Sequence, residues 1–86
     1  MEMNEKNYLF VRLNIAESAL QEAKARIKLR ELFENRDKNP DYDRDDFEFK
    51  WNELKSDIFY YEWETKRYRD LHERFNKWFE FYISLP

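Results

Sequence analysis

Glycine and cysteine are both absent from this chain of 86 residues, and proline occurs only at Pro40 and Pro86. Without cysteine there is no disulfide framework, no thiolate metal site and no thiol nucleophile. Without glycine there is no P-loop and no dinucleotide fingerprint, because both need backbone to approach phosphate where a side chain would block it. Long uncharged runs are also missing, since 41% of residues are charged, so no segment is expected to span a bilayer. The opening Met1-Glu2-Met3-Asn4 lacks the basic-then-apolar plan of a signal peptide, and a cytoplasmic protein with no membrane partner is expected. No strong excess of one charge is present either. The 19 acidic and 16 basic groups leave a net charge of -3, which marks neither a nucleic-acid magnet nor an acidic mimic of DNA.

What the chain does contain is apolar surface. Leu, Ile, Val and Phe number 21 and the aromatic content is 20%, above the range of disordered chains, so a single folded domain is expected over residues 1–86. From Asn4 to about Asn35, Leu9, Leu13, Ala16, Leu20, Ala23 and Ile27 recur at alternating steps of 4 and 3, the heptad signature of a helix seam. Asn4 suits the cap of this helix, and Glu5 its electropositive first turn. Beyond Ile27 the stripe shifts to Leu29, Leu32 and Phe33. A polar break follows at about 36–44, where Asn39-Pro40-Asp41 invites a turn and Asp41 or Asp43 can cap a second helix.

That helix is expected over about 45–83. Phe47, Trp51, Leu54, Ile58, Tyr61, Thr65, Tyr68, His72, Phe75, Phe79 and Tyr82 alternate steps of 4 and 3 without a slip. At 1.5 Å per residue the two helices span roughly 48 and 57 Å, and a short connection folds them into an antiparallel hairpin. Facing Ala16 and Ala23 toward Tyr61 to Tyr68 sets small residues against large ones. The expected core, within the hairpin or between two copies of it, is Leu13, Ala16, Leu20, Ala23, Ile27, Trp51, Ile58, Tyr61, Tyr68, Phe75 and Phe79. The run Leu13, Ala16, Leu20, Ala23 and Ile27 resembles the Rop-type hairpins that dimerise into four-helix bundles. The resemblance is architectural and carries no RNA-binding residues across. It implies an all-α fold, an antiparallel two-helix hairpin with heptad packing that dimerises into a four-helix bundle.

Thirteen of the seventeen aromatic residues lie in the second helix, and Phe49, Phe59, Tyr60, Trp63, Trp78 and Phe81 fall off its seam. One neighbouring helix covers only one face. Phe59, Tyr60, Trp63, Arg67, Trp78 and Phe81 are therefore the candidate contacts to another protein, being of the types that anchor interfaces.

Several other groups were weighed for chemistry. Asp37, Asn39, Asp41, Asp43, Asp45 and Glu48 fall at positions 1, 3, 5, 7, 9 and 12 of a segment that resembles the calcium loop of an EF-hand. Tyr42 stands where that loop needs glycine and Pro40 sits inside it, so a helix-capping turn is the favoured reading. His72 falls on the seam, where a polar residue often fixes register in a hydrogen-bonded layer with one such as Thr65. Ser18, Ser56 and Ser84 have no nucleophilic setting, and no enzyme, metal or cofactor is expected. The basic run Lys24, Arg26, Lys28 and Arg30 is expected to pair with acidic groups such as Asp57, Glu62 and Glu64. A second run, Lys66, Arg67, Arg69, Arg74 and Lys77, is interrupted by Asp70 and Glu73. A non-catalytic interaction module is expected, of the kind found among small regulators and inhibitors encoded by phages and mobile elements, with itself and a host protein as partners. The alternatives are a purely structural homodimerisation module and a nucleic-acid-binding regulator.

Overall fold

Asn4 opens the first helix as its sequence position implies. Its backbone is extended (φ -145°, ψ 168°) and its side-chain oxygen accepts from the Asn7 amide at 2.8 Å, satisfying one donor that the first turn leaves without a partner. In a computed structural model that describes the backbone of residues 2–83 and their side chains except those of Phe79, Phe81, Tyr82 and Ile83, α1 then runs over Glu5–Lys38. With no glycine to interrupt it, the helix continues about three residues past the expected end. It stops where proline forces the issue: Pro40 excludes Asn39 from helical geometry, and Asn39 is extended at φ -121°, ψ 99°.

The connection is residues 39–43 only. Asn39 accepts from the Asp41 amide through its side chain (3.1 Å) and from the Tyr42 amide through its carbonyl (3.3 Å). Of the two candidate caps, Asp43 is the one used. Its Oδ1 accepts from the amides of Asp45 (3.0 Å) and Asp46 (3.2 Å), and α2 follows over Arg44–Ile83. Among the described residues there is no strand, and α1 and α2 pack along one another in a rod of 70 × 18 × 15 Å. The chain is an all-helical hairpin.

The seam of α2 is the one its sequence indicates. Phe47, Ile58, Thr65 and Phe75 are buried and Leu54, Tyr61, Tyr68 and His72 half-buried, while Trp51 packs its ring against Phe33 and Phe47 from a more exposed position. The seam of α1 is not. The buried residues are Val11, Ser18 and Ala25, flanked by half-buried Tyr8, Ile15, Glu22, Leu29, Leu32 and Phe33. Leu13, Ala16, Leu20, Ala23 and Ile27, expected as core, are exposed, as is Leu9, so as hairpin contacts they are displaced by a second heptad on the opposite face. The physical reason lies in what α2 presents. Against its bulky seam Ser18 and Ala25 are as small as Ala16 and Ala23, and the inner face adds contacts the outer one lacks: Ser18 meets the Thr65 hydroxyl, and Tyr8 and Phe33 pack on His72 and Phe47 at the two ends. The principle of small against large holds with different residues in the small role.

One layer of the core is polar. Thr65 Oγ1 lies 2.9 Å from Ser18 Oγ and 2.7 Å from the Tyr61 carbonyl oxygen, while Ser18 donates to the Asn14 carbonyl at 2.8 Å. The two hydroxyls meet across the hairpin, and no buried side-chain polar atom among the described residues lacks a partner. Thr65 therefore pairs with Ser18 rather than with His72. At the loop end Phe33, Phe47 and Trp51 interlock edge to face, with the Arg36 guanidinium 5.0 Å from the centroids of both Phe33 and Phe47. At the other end Tyr8 stacks on His72 at 5.3 Å and donates to Asn76 at 3.2 Å.

Candidate interaction surface

On α2, at 100° per residue, Phe49, Ser56 and Trp63 lie about 180° around the helix from the seam, with Phe59 about 50° to one side of that line and Tyr60 and Arg67 about 50° to the other. The single neighbouring helix never reaches them. Phe49 is 68%, Phe59 59%, Tyr60 54% and Trp63 57% exposed, high values for side chains of this size. Helical spacing puts Phe59 and Tyr60 on one turn and Trp63 and Arg67 on the next two, and the rings support one another. Tyr60 contacts Tyr61 edge-on (5.2 Å, ring planes 72° apart) and Trp63 at 6.4 Å. The Arg67 guanidinium sits 5.3 Å from the Trp63 centroid and 4.9 Å from that of Tyr68, and Glu64 holds it at 3.3 Å. The result is a ridge of rigid amphipathic groups with a cation at its end. Such groups offer large contact area with little rotamer entropy to lose.

Four of the six candidate contacts, Phe59, Tyr60, Trp63 and Arg67, thus come together on one exposed face. Trp78 does not join them: it is half-buried, its ring edge-on to Phe75 at 6.4 Å, and belongs to the end of the core. The side chain of Phe81 lies outside the described residues, as does that of Phe79. Phe49, the most exposed of the large apolar side chains described, extends the ridge toward the loop. Its spacing of fourteen from Trp63, two heptads on the face opposite the seam, was the available signal.

A second apolar face lies on α1. Leu9, Phe10, Leu13, Leu20 and Ile27 are each between 48% and 59% exposed, with Ala16 and Ala23 between them. Apart from Phe10, which stands about 100° from Val11, this stripe sits about 160° from Val11, Ser18 and Ala25. Each helix therefore shows apolar surface on the edge facing away from its neighbour.

The remaining candidates have ordinary structural employment. The calcium-like residues are dispersed across the end of α1, the connection and the start of α2, with Asp37 on Arg36 (3.3 Å), Asn39 bonding the Asp41 amide (3.1 Å), Glu48 on Arg44 (3.2 Å) and Asp43 capping. No group of three His, Asp or Glu among the described residues is placed to hold a metal ion. Arg26 bridges Glu22 at 3.2 Å and Glu62 across the hairpin, and Arg30 reaches Glu34 at 3.3 Å. His72 Nδ1 faces the Asn76 amide at 3.3 Å under the Tyr8 ring. No helix among the described residues is long and apolar enough to cross a membrane. No protein-family model, curated protein or solved structure matches this chain.

Proposed function

We propose that this hairpin is a non-catalytic protein-protein interaction module, a small cytoplasmic regulator or inhibitor of the phage or mobile-element kind, that holds a host protein on the outer face of α2. The observation that carries the reading is the exposed ridge of Phe59, Tyr60, Trp63 and Arg67, extended by Phe49. A folded chain that merely needed to be stable would place such residues inward, since exposed aromatic surface gains about 25 cal/mol per Å² when covered. Lys66, Arg67 and Arg74 border the ridge together with Glu53, Asp70 and Glu73, so the partner that fits is an apolar surface rimmed by charges of both signs.

Affinity capture from host lysate tests this with the Phe59→Ala/Trp63→Ala variant beside the unaltered chain. Both side chains are more than half exposed, so the variant is expected to keep its helical circular dichroism and thermal midpoint while losing a protein that the unaltered chain retains. Equal retention by the two would refute the reading.

A second reading, a structural homodimerisation module with four helices per dimer, is favoured by a different observation. The Leu and Ala heptad of α1 is regular enough to demand a helical partner, yet within one chain it has none.

A further inference from the structure

The exposed stripe of α1 has an internal symmetry that bears on what covers it. Leu9, Leu13, Ala16, Leu20, Ala23 and Ile27 are centred on the level of Ser18. Turning a second copy of α1 antiparallel about that level brings Leu13 beside Ala23, Ala16 beside Leu20, and Leu9 beside Ile27. Every alanine then meets a leucine, and the larger pair closes each end. The spacing of any such heptad is its own reversal; what is particular here is that the side-chain sizes complement one another under it. Parallel pairing does the opposite, setting Ala16 on Ala16 and Ala23 on Ala23 with crowded leucine layers between, so that voids alternate with tight spots.

The available area is also in range. Leu9, Leu13, Leu20 and Ile27, each about half exposed, present with the two alanines about 500 Å² per copy, so a symmetric pair covers up to about 1,000 Å², the lower bound of a specific interface. The flanks permit the approach. Ala19 lies at the two-fold level on one side; on the other Glu17 meets its own copy, an exposed like-charge contact that solvent screens, and Arg26, which comes near Arg12 of the second copy, is already matched by Glu22 and Glu62 of its own chain. Parallel pairing instead brings Arg12 near Glu17 and Arg26 near Glu31, but exposed ion pairs of this kind contribute little beside packing.

We infer that the outer stripe of α1 is the contact between two copies of this chain, packed antiparallel about a two-fold axis at the level of Ser18. The inference rests on the homodimerisation reading and specifies its interface. Because the stripe faces away from α2, the dimer is one layer of four helices in the order α2, α1, α1, α2 rather than a bundle around a common core. With neighbouring axes about 8–10 Å apart, the two α2 axes stand about 24–30 Å from each other. Both aromatic ridges then face outward, giving two partner sites on opposite edges.

The full chain tests this in two ways. At about 100 µM, a concentration suited to an interface of this size, sedimentation is expected to give twice the 11.0 kDa chain mass, and Leu13→Lys/Leu20→Lys the single mass with unchanged helical circular dichroism. The chain has no native cysteine, so introduced ones report cleanly. An equimolar mixture of Leu13→Cys and Ala23→Cys chains is expected to form the mixed disulfide on mild oxidation. Ala23→Cys alone is expected to form none, because antiparallel packing holds its two copies about 15 Å apart along the axis. A single-mass unaltered chain would overturn both the inference and the homodimerisation reading. A dimer that survives Leu13→Lys/Leu20→Lys would leave that reading standing and overturn this interface. Ready disulfide formation by Ala23→Cys alone, or none in any combination, would overturn the antiparallel arrangement, and this result does not depend on how the lysine variant folds.

Discussion

Val11 and Leu13 stand two positions apart on α1 and face opposite ways, so shortening each in turn tests which heptad holds the hairpin. Val11 is 0% exposed and, with Phe75, is one of the two large side chains fully buried among the described residues. Val11→Ala removes two methyl groups, about 0.8 kcal/mol each by transfer, and leaves a small cavity, for a total loss of about 2–3 kcal/mol. In a domain of this length each kcal/mol moves the thermal midpoint by about 4–8 °C, so a fall of about 10–20 °C is expected. Leu13 is 55% exposed, and alanine is the better helix former, so Leu13→Ala is expected to stay within about 0.5 kcal/mol of the unaltered chain. Thermal unfolding followed by circular dichroism measures both, at about 1 µM so that mass action from self-association does not add to apparent stability. At higher concentration the Leu13→Ala midpoint is expected to fall behind that of the unaltered chain. Equal losses for the two variants in dilute solution would refute the facing of α1 described above.

Two further measurements follow from the same structure. A double-mutant cycle on Ser18→Ala and Thr65→Val is expected to give a coupling of about 1 kcal/mol, because each hydroxyl keeps its carbonyl contact on its own helix and loses only the bond across the hairpin; a coupling near zero in chemical denaturation would remove the polar layer as a register device. Asp43→Ala frees the amides of Asp45 and Asp46 and is expected to cost about 1 kcal/mol, read as a lower denaturant midpoint at unchanged slope, whereas Asp41→Ala is expected to change little, since its side chain does not cap α2.

Much of this architecture is legible in the residues alone. Absent glycine leaves nothing to stop a helix except Pro40, which is why two helices and one break follow directly, and why α1 overruns its expected end until the residue before that proline. The unbroken 4 and 3 spacing from Phe47 to Phe75 carries only one apolar stripe of bulky residues continuous over the whole helix, so the seam of α2 is readable without a structure. The exposed ridge is half readable. Phe59, Tyr60 and Trp63 fall off the seam by position, whereas Trp78 also falls off it and is nevertheless drawn against Phe75 by the packing at that end.

The facing of α1 belonged to the tertiary structure. Two heptads about 160° apart run along this helix, and the more regular one by sequence, Leu9 to Ile27, is the one left outside. The inner heptad is disguised by Ser18 and Glu22, whose polarity hides their position when the helix is considered alone. Ser18 becomes a core residue only because Thr65 arrives opposite it with a hydroxyl, and Ala25 is buried one heptad along the same face. Periodicity within one helix determined that α1 had apolar stripes to cover. Which stripe was covered depended on the shape and hydrogen-bonding groups of another helix, brought alongside by the turn at Asn39 and Pro40.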